Sequence, residues 1–478
     1  MSNLSDLLPA GAGGKQVDFV ASGTLPSGQT VVLKTNGQVE AVSGVSNSVG
    51  TNTAFLAGNS EYISSAFDSN LNKVVIAYAD NFNSAGQGFA VVGTVSGTSI
   101  SFGTPVNFES STNVQYTSCV FDPSSNKVVI AYGIGSTGTA RVATVSGTSI
   151  SFGTAVTFET GDSAEFIATA YDANAQKIVI AYRGVSNYGY AIVGTVSGTS
   201  ISFGTKVAFY STYSESYAIA YDSNAQKVVI VYYETTVGGY GTAIVGTVSG
   251  TSISFGTAVT YMTSGESKPN EIAYDSTAQK VVIAFIDVAS SGYGTAIVGT
   301  VSGTSISFGT AVVFASKSVG RQKIVYDSSI NRVVIVYVDM GVSPYPTQAS
   351  VGAVSGTSLS FGSIFTIGGN GGASISAVYE SNAAKVVVSY KVSGSSEGIV
   401  YTPGFTNSSS FIGITDAAIS SAASGSVTIK GGISSNVTSL TPNSTYYVQS
   451  DGTLSTTSSS VLAGKALSST SINLDYTT

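Results

Sequence analysis

The sequence predicts an all-β chain organised as a closed ring of repeated sheets, and three observations carry that expectation. Val, Ile, Thr, Ser, Gly, Tyr and Phe dominate, while helix-forming stretches are almost absent. The phrase VGTVSGTSISFGT at 92–104 returns five more times, about fifty residues apart. A second phrase, of the form YDSNAQKVVIAY, occurs seven times, with its acid at Asp68, Asp122, Asp172, Asp222, Asp275, Asp327 and Glu380.

Each unit reads as four strands, A to D. An apolar segment ends at the acid (A), a turn of DSNAQ type leads into KVVIAY (B), and a variable loop leads to AIVGTV (C). Ser-Gly then turns the chain into SISFGT (D). The turn supplies a Gly for the positive φ that hairpin turns require. Pairing Val95 with Thr98 across it sets Gly93 opposite Ile100 and gathers the apolar side chains on one face. A period near fifty residues with four strands per unit is the signature of a β-propeller blade.

Seven copies of one phrase and six of the other imply that the ring closes with a borrowed strand. The seventh unit lacks its Ser-Gly hairpin. Residues 48–55, SVGTNTAF, match SFGTPVNF at 101–108, the fourth strand of the first unit. The expected fold is therefore a seven-bladed propeller with velcro closure over 47–403, in which 47–57 supply the fourth strand of blade seven. The flanks, 1–46 and 404–478, hold strand-like segments with Asn-Gly and Asp-Gly turns at 36–37 and 451–452. Together they suit a small β-barrel or sandwich into which the propeller is inserted.

The flanking phrase LLPAGAGGKQVDFVASGTLPSGQTVVLKTNGQV resembles the start of virion proteins from tailed phages, marine and cyanobacterial ones especially. FIGITDAAISSAASGSVTIKGGI, STYYVQSDGTLS and AGKALSSTSINL resemble the ends of tail-fibre and capsid-decoration modules. The resemblance covers roughly 120 residues. It implies a chain anchored to a virus particle beside other virion proteins, and a homo-oligomer, trimers being among the forms such modules take. Synthesis in the host cytoplasm is expected, because MSNLSDLLPAGAGGKQ has neither a charged nor an apolar leader segment.

Composition excludes several functions. A net charge of −7 with four Arg leaves no basic stripe for nucleic acid. Mean hydropathy is +0.29, yet no apolar run approaches the ~20 residues of a membrane-spanning helix. Without His, triads and His metal sites are impossible. Cys119 has no Cys or His partner and reads as a small buried side chain. The sialidase S-x-D-x-G-x-T-W box is absent. The recurrent acids are expected to cap turns, offset by the Lys or Arg five residues on. The expectation is no enzyme, no catalytic residue, no metal and no cofactor.

In a four-stranded meander the A–B and C–D loops share one rim, and the B–C and D–A loops the other. The first set hardly varies between units. The second does, in ADNFNSAGQG, RGVSNYGY, YETTVGGYGT, VDMGVSPYPT, YSTYSESY and SKSVGRQK. Tyr, Gly, Ser and Asn are the residues of adaptable binding loops, and Tyr rings stack on sugars. Tyr188, Tyr190, Tyr213, Tyr233, Tyr240, Tyr293, Tyr345, Arg183 and Arg321 are the candidate contacts, with host-surface polysaccharide as ligand. The alternatives are a purely architectural capsid or tail component, a carbohydrate-active enzyme and a secreted lectin.

Overall fold

The computed structural model describes residues 15–475 except 35, 46, 82–83, 162–163, 236–237, 264–266, 369–373, 393, 407–409, 450 and 460, and only the backbone of 45, 267–270 and 405–406. The opening LLPAGAGG of the phage-like phrase lies outside the described residues. The chain divides into two compact units, Ser48–Pro403 and the pair Met1–Asn47 with Gly404–Thr478.

The larger unit is a seven-bladed propeller of antiparallel sheets. Blade one is typical. Its strand A is Ser60–Asp68, B is Lys73–Asp80, C is Gln87–Ser96, and D runs in two pieces, Ser99–Phe102 and Val106–Glu109. Strand B is buried along nearly its whole length, since both faces of a blade are covered by neighbours. That burial is why KVVIAY is a continuous apolar run rather than an alternating one. Every blade interface has its own apolar cluster. Val75 and Ala77 of blade one pack with Val128 and Ile130 of blade two, and the pattern continues to Val387 and Val400 of blade seven against Ile76 of blade one. The aromatic residue ending KVVIAY is packing. Phe108 meets Tyr132 of the next blade at 5.1 Å, and Phe55 meets Tyr78 at 5.2 Å.

The ring closes with the strand from upstream. Ser48–Val49 and Thr53–Leu56 pair with the last strand, Ser395–Thr402, through Tyr401↔Val49 and Gly398↔Thr53. The Gly50 amide donates to the Val400 carbonyl at 2.9 Å, the same bond that Gly103 makes to Val92.

The hairpins sit one residue further along than the spacing predicts. Ser96 pairs with Ser99, so Gly97 and Thr98 form the loop, and Phe102 rather than Ile100 lies opposite Gly93. Only Gly97 of that loop has positive φ (60°), the pattern of a type II′ turn. The shift conserves parity, so the apolar face is unchanged.

The hairpin also explains why its sequence repeats. The glycine of each SFGT lies against the hairpin threonine of the next blade. A Cβ on Gly103 would stand 2.0 Å from the Thr148 carbonyl oxygen, and Gly50 closes the ring against Thr98 in the same way. Blade seven has no such hairpin, and Gly362 of blade six meets nothing nearer than 3.9 Å.

The recurrent acids cap turns. Asp68 Oδ1 accepts from the amides of Asn70 and Leu71, both at 3.0 Å, and Glu380 accepts from those of Asn382 and Ala383. The expected offset by Lys or Arg is not formed. Among the described residues no salt bridge joins these acids to the cations five residues on, and Lys73 donates to Thr94 instead. Backbone amides hold the carboxylates, joined in blade two by the Ser124 and Ser125 hydroxyls and in blade six by that of Ser329.

The smaller unit contains two five-stranded antiparallel sheets. In one, Gln16–Val20, Ser424–Ile429, Phe411–Thr415, Thr30–Leu33 and Val39–Ala41 lie in that order. The other comprises Ile433–Ser434, Ile472–Leu474, Leu462–Ala466, Thr445–Val448 and Leu454–Ser455. Val32, Phe411 and Ile414 of the first share a cluster with Val448, Ala463 and Ile472 of the second, the sandwich form of the expected module.

The glycine contact is directly testable. Gly103→Ala is expected to destabilise the protein by about 1–3 kcal/mol, as overpacking against a backbone atom does. Gly362→Ala, at the equivalent site without a facing hairpin, is expected to cost under about 1 kcal/mol. Denaturant unfolding of the two variants beside the parent measures both.

Candidate axial binding site

Strand A is the innermost strand, packed against strand A of each neighbouring blade. It does not run straight. Its register against strand B slips between Glu61 and Ser64, and at the equivalent places in blades two to six. The residue at the slip stands six before the recurrent acid. Tyr62, Tyr116, Phe166, Ser216 and Arg321 occupy it with φ of 50°, 50°, 50°, 58° and 49°. Non-glycine residues seldom adopt this conformation, and it costs free energy unless the surroundings enforce it.

The neighbouring blade supplies that enforcement. A bulge takes backbone groups out of the ladder, and these must find other partners. The Thr117 hydroxyl donates to the Tyr62 carbonyl, the Ile63 amide donates to Ser374 Oγ at 2.9 Å, and the Cys119 amide donates to Ser64 Oγ at 2.9 Å.

The bulges surround a cavity of about 360 Å³ at the start of the inner strands, on the rim of the D–A and B–C loops. Rings from blades one to four form one wall. Tyr62 and Tyr116 have centroids 5.1 Å apart, Tyr116 and Phe166 5.0 Å, and Phe166 and Tyr217 6.5 Å. Blades five and six supply the polar part with Glu271, Arg321, Gln322 and Lys323.

Most charges here are matched. Arg183 pairs with Glu165 and with Glu215, the latter at 3.4 Å, and lies between the rings of Phe166 and Tyr213 at 4.9 and 5.0 Å. Lys323 pairs with Glu271, and Lys391 reaches Glu61 at 3.9 Å. Burial pushes the Glu271 carboxyl up against the pull of Lys323. Burial, with Glu165 nearby, pushes the Tyr116 phenol up to about 12, so at neutral pH it is a hydroxyl that can donate. Arg321 is exposed at the cavity and forms no salt bridge among the described residues.

Of the nine sequence-derived candidates only Arg321 lines the cavity. Arg183 and Tyr213 stack behind its aromatic wall. Tyr188 and Tyr190 form a separate stacked pair, with Lys206 4.6 Å over the Tyr190 ring. Tyr240 and Tyr293 open strands C of blades four and five, and Tyr345 is 45% exposed on a loop of blade six. Tyr233 is 4% exposed and has no surface to offer, a correction that follows from its place on strand B. Tyr62, Tyr116, Phe166 and Tyr217 were missed. YSTYSESY, at 210–217, reads as a D–A loop, whereas strand A already begins at Ser214, and in blade two at Val114. Likewise SKSVGRQK lies within one continuous strand, Val312–Asp327. For Tyr62, Tyr116 and Phe166 the usable signal is the place six before each acid, whereas Tyr217 stands five before Asp222.

Among the described residues no cluster of acids and Cys offers a metal site, and no helix is long and apolar enough to cross a membrane. No family model and no curated protein matches the chain. Among solved structures it is similar to the BP39L lectin from Burkholderia pseudomallei, at 10% identity and a TM-score of 0.55, covering 72% of this chain and 96% of that one. A mutant of AofleA from Arthrobotrys oligospora reaches 10% identity and a TM-score of 0.43 over 72% and 95% of the two chains. The NanB sialidase from Streptococcus pneumoniae reaches 9% and 0.42 over 74% and 70%. At these identities the likeness concerns the fold.

Cys119 lies on strand A of blade two, where burial pushes its thiol up to about 12. The thiolate is the reactive form, so at pH 8 the folded protein is expected to resist a thiol reagent. It should label fully in denaturant. Rapid labelling of native protein, followed by absorbance, would contradict this burial.

Proposed function

We propose that the chain is a glycan-binding surface protein of a tailed-phage particle, with the axial cavity of the propeller as its sugar site and the flanking unit as its anchor. The cavity carries this reading. Sugars present an apolar C–H face and a polar hydroxyl edge, and a site for one needs aromatic rings on one side and hydrogen-bonding groups on the other. Tyr62, Tyr116 and Phe166 face Gln322, Arg321 and Lys323 in this manner. A volume of about 360 Å³ is at the small end of ligand pockets. The likeness to a protein named as a lectin adds support. The virion role rests on the flanking phrases.

The bulge adds a physical reason. Strained backbone collects where a site needs side chains held in advance. Here the strained residues of five blades, Tyr62, Tyr116, Phe166, Ser216 and Arg321, all line the cavity.

The test is binding of purified protein to host-surface polysaccharide by calorimetry. Tyr62→Asn with Tyr116→Asn removes two rings while keeping a residue type that accepts positive φ. A loss of about tenfold or more in affinity is expected. Unchanged affinity would move the ligand elsewhere, and no binding by the parent would leave the architectural reading. No new reducing ends are expected on incubation with the polysaccharide.

A further inference from the structure

We infer that the sugar taken by the axial cavity is an acidic one, whose carboxylate is received by Arg321. This deepens the reading above and rests on it. The first observation is the inventory of charge at the cavity. Arg183 is engaged by Glu165 and Glu215, and Lys323 by Glu271. The two acids lining the cavity, Glu61 and Glu271, each have a cation of their own, Lys391 and Lys323. Once these pairs are discounted, Arg321 remains: a guanidinium at the cavity with no carboxylate partner among the described residues. Arg is permanently charged, and its planar fork suits a carboxylate better than a hydroxyl.

The second observation is position. Arg321 occupies the strained bulge site that holds Tyr62, Tyr116 and Phe166 in blades one to three. In an array whose blades are otherwise near copies, one blade has exchanged the ring for a cation at the residue that faces the axis. Arg321 also acts on the aromatic wall, since its charge opposes the rise of the Tyr62 phenol caused by burial and by Glu61. A six-membered sugar acid lying on Tyr62 and Tyr116 would have its carboxylate at the ring edge, where Arg321 stands beside that wall.

This geometry yields one acidic sugar per propeller, on the axis, rather than one per blade. It also yields salt dependence, because a partly exposed charge pair is screened by added ions.

The experiment is calorimetry of the full chain with free monosaccharides. Glucuronate, galacturonate and N-acetylneuraminate are compared with glucose, galactose and N-acetylglucosamine. The acidic set is expected to bind roughly ten- to hundredfold more tightly, the worth of a charge-assisted pair, with one site per chain. Arg321→Gln is expected to erase that preference, so that acidic and neutral sugars bind the variant alike, and Arg321→Lys to keep part of it. A thermal melt like the parent's certifies the fold of each variant. Equal binding of both sets by the parent, or a preference that survives Arg321→Gln, overturns the inference while the sugar site stands. Binding of neither set, with the polysaccharide also unbound, removes the sugar site itself.

Discussion

The whole molecule depends on a blade being unable to cover itself. Each four-stranded sheet is apolar on both faces, and burying those faces is the main favourable term in folding. A row of such sheets would leave two faces in water. A ring leaves none, provided the last sheet reaches the first. The borrowed strand Ser48–Leu56 therefore secures the interface on which every other one depends, and it repeats the bonds of the internal blades down to the Gly50 amide. Around the closure Ser60 and Ser396 share a buried hydrogen bond of 2.7 Å, which ties blade one to blade seven by side chains as well as by sheet.

Close packing between copies also accounts for uneven drift along the repeat. The SFGT glycine and the hairpin threonine belong to different blades, so neither is free to change alone. A Cβ at the glycine would fall within 2.0 Å of a backbone oxygen in most of these interfaces, a distance that no rearrangement of side chains relieves. The A–B turns are held differently. A buried carboxylate accepting two amides leaves the chain little choice of conformation, and the residue four after the acid keeps a positive φ in every blade.

At the other rim these constraints lapse, and the bulge of strand A takes over. It removes backbone groups from the ladder, hands them to hydroxyls of the adjacent blade, and in five blades sets its positive-φ residue at the cavity. The identity of that side chain is not fixed by packing within a blade. Among the described residues Tyr, Phe, Ser and Arg all occur there, with φ between 49° and 58°.

The sequence by itself determined the blade count, the strand order, the closure and the buried roles of the acids and the KVVIAY tyrosines. These follow from period, alternation and turn chemistry, which are local. Two-residue periodicity even survived the misplaced hairpin turn, because the shift conserved parity. Only the tertiary structure decided the site. The tyrosines most visible in the loops are spread over separate blades, paired with one another, or buried like Tyr233. The residues that converge are 50 or more positions apart and sit in stretches that resemble loops. Their common direction comes from an irregularity in strand pairing, and a bulge leaves no periodic mark in the residues that form it. Convergence on an axis is a property of the closed ring, which exists only after all seven blades have met.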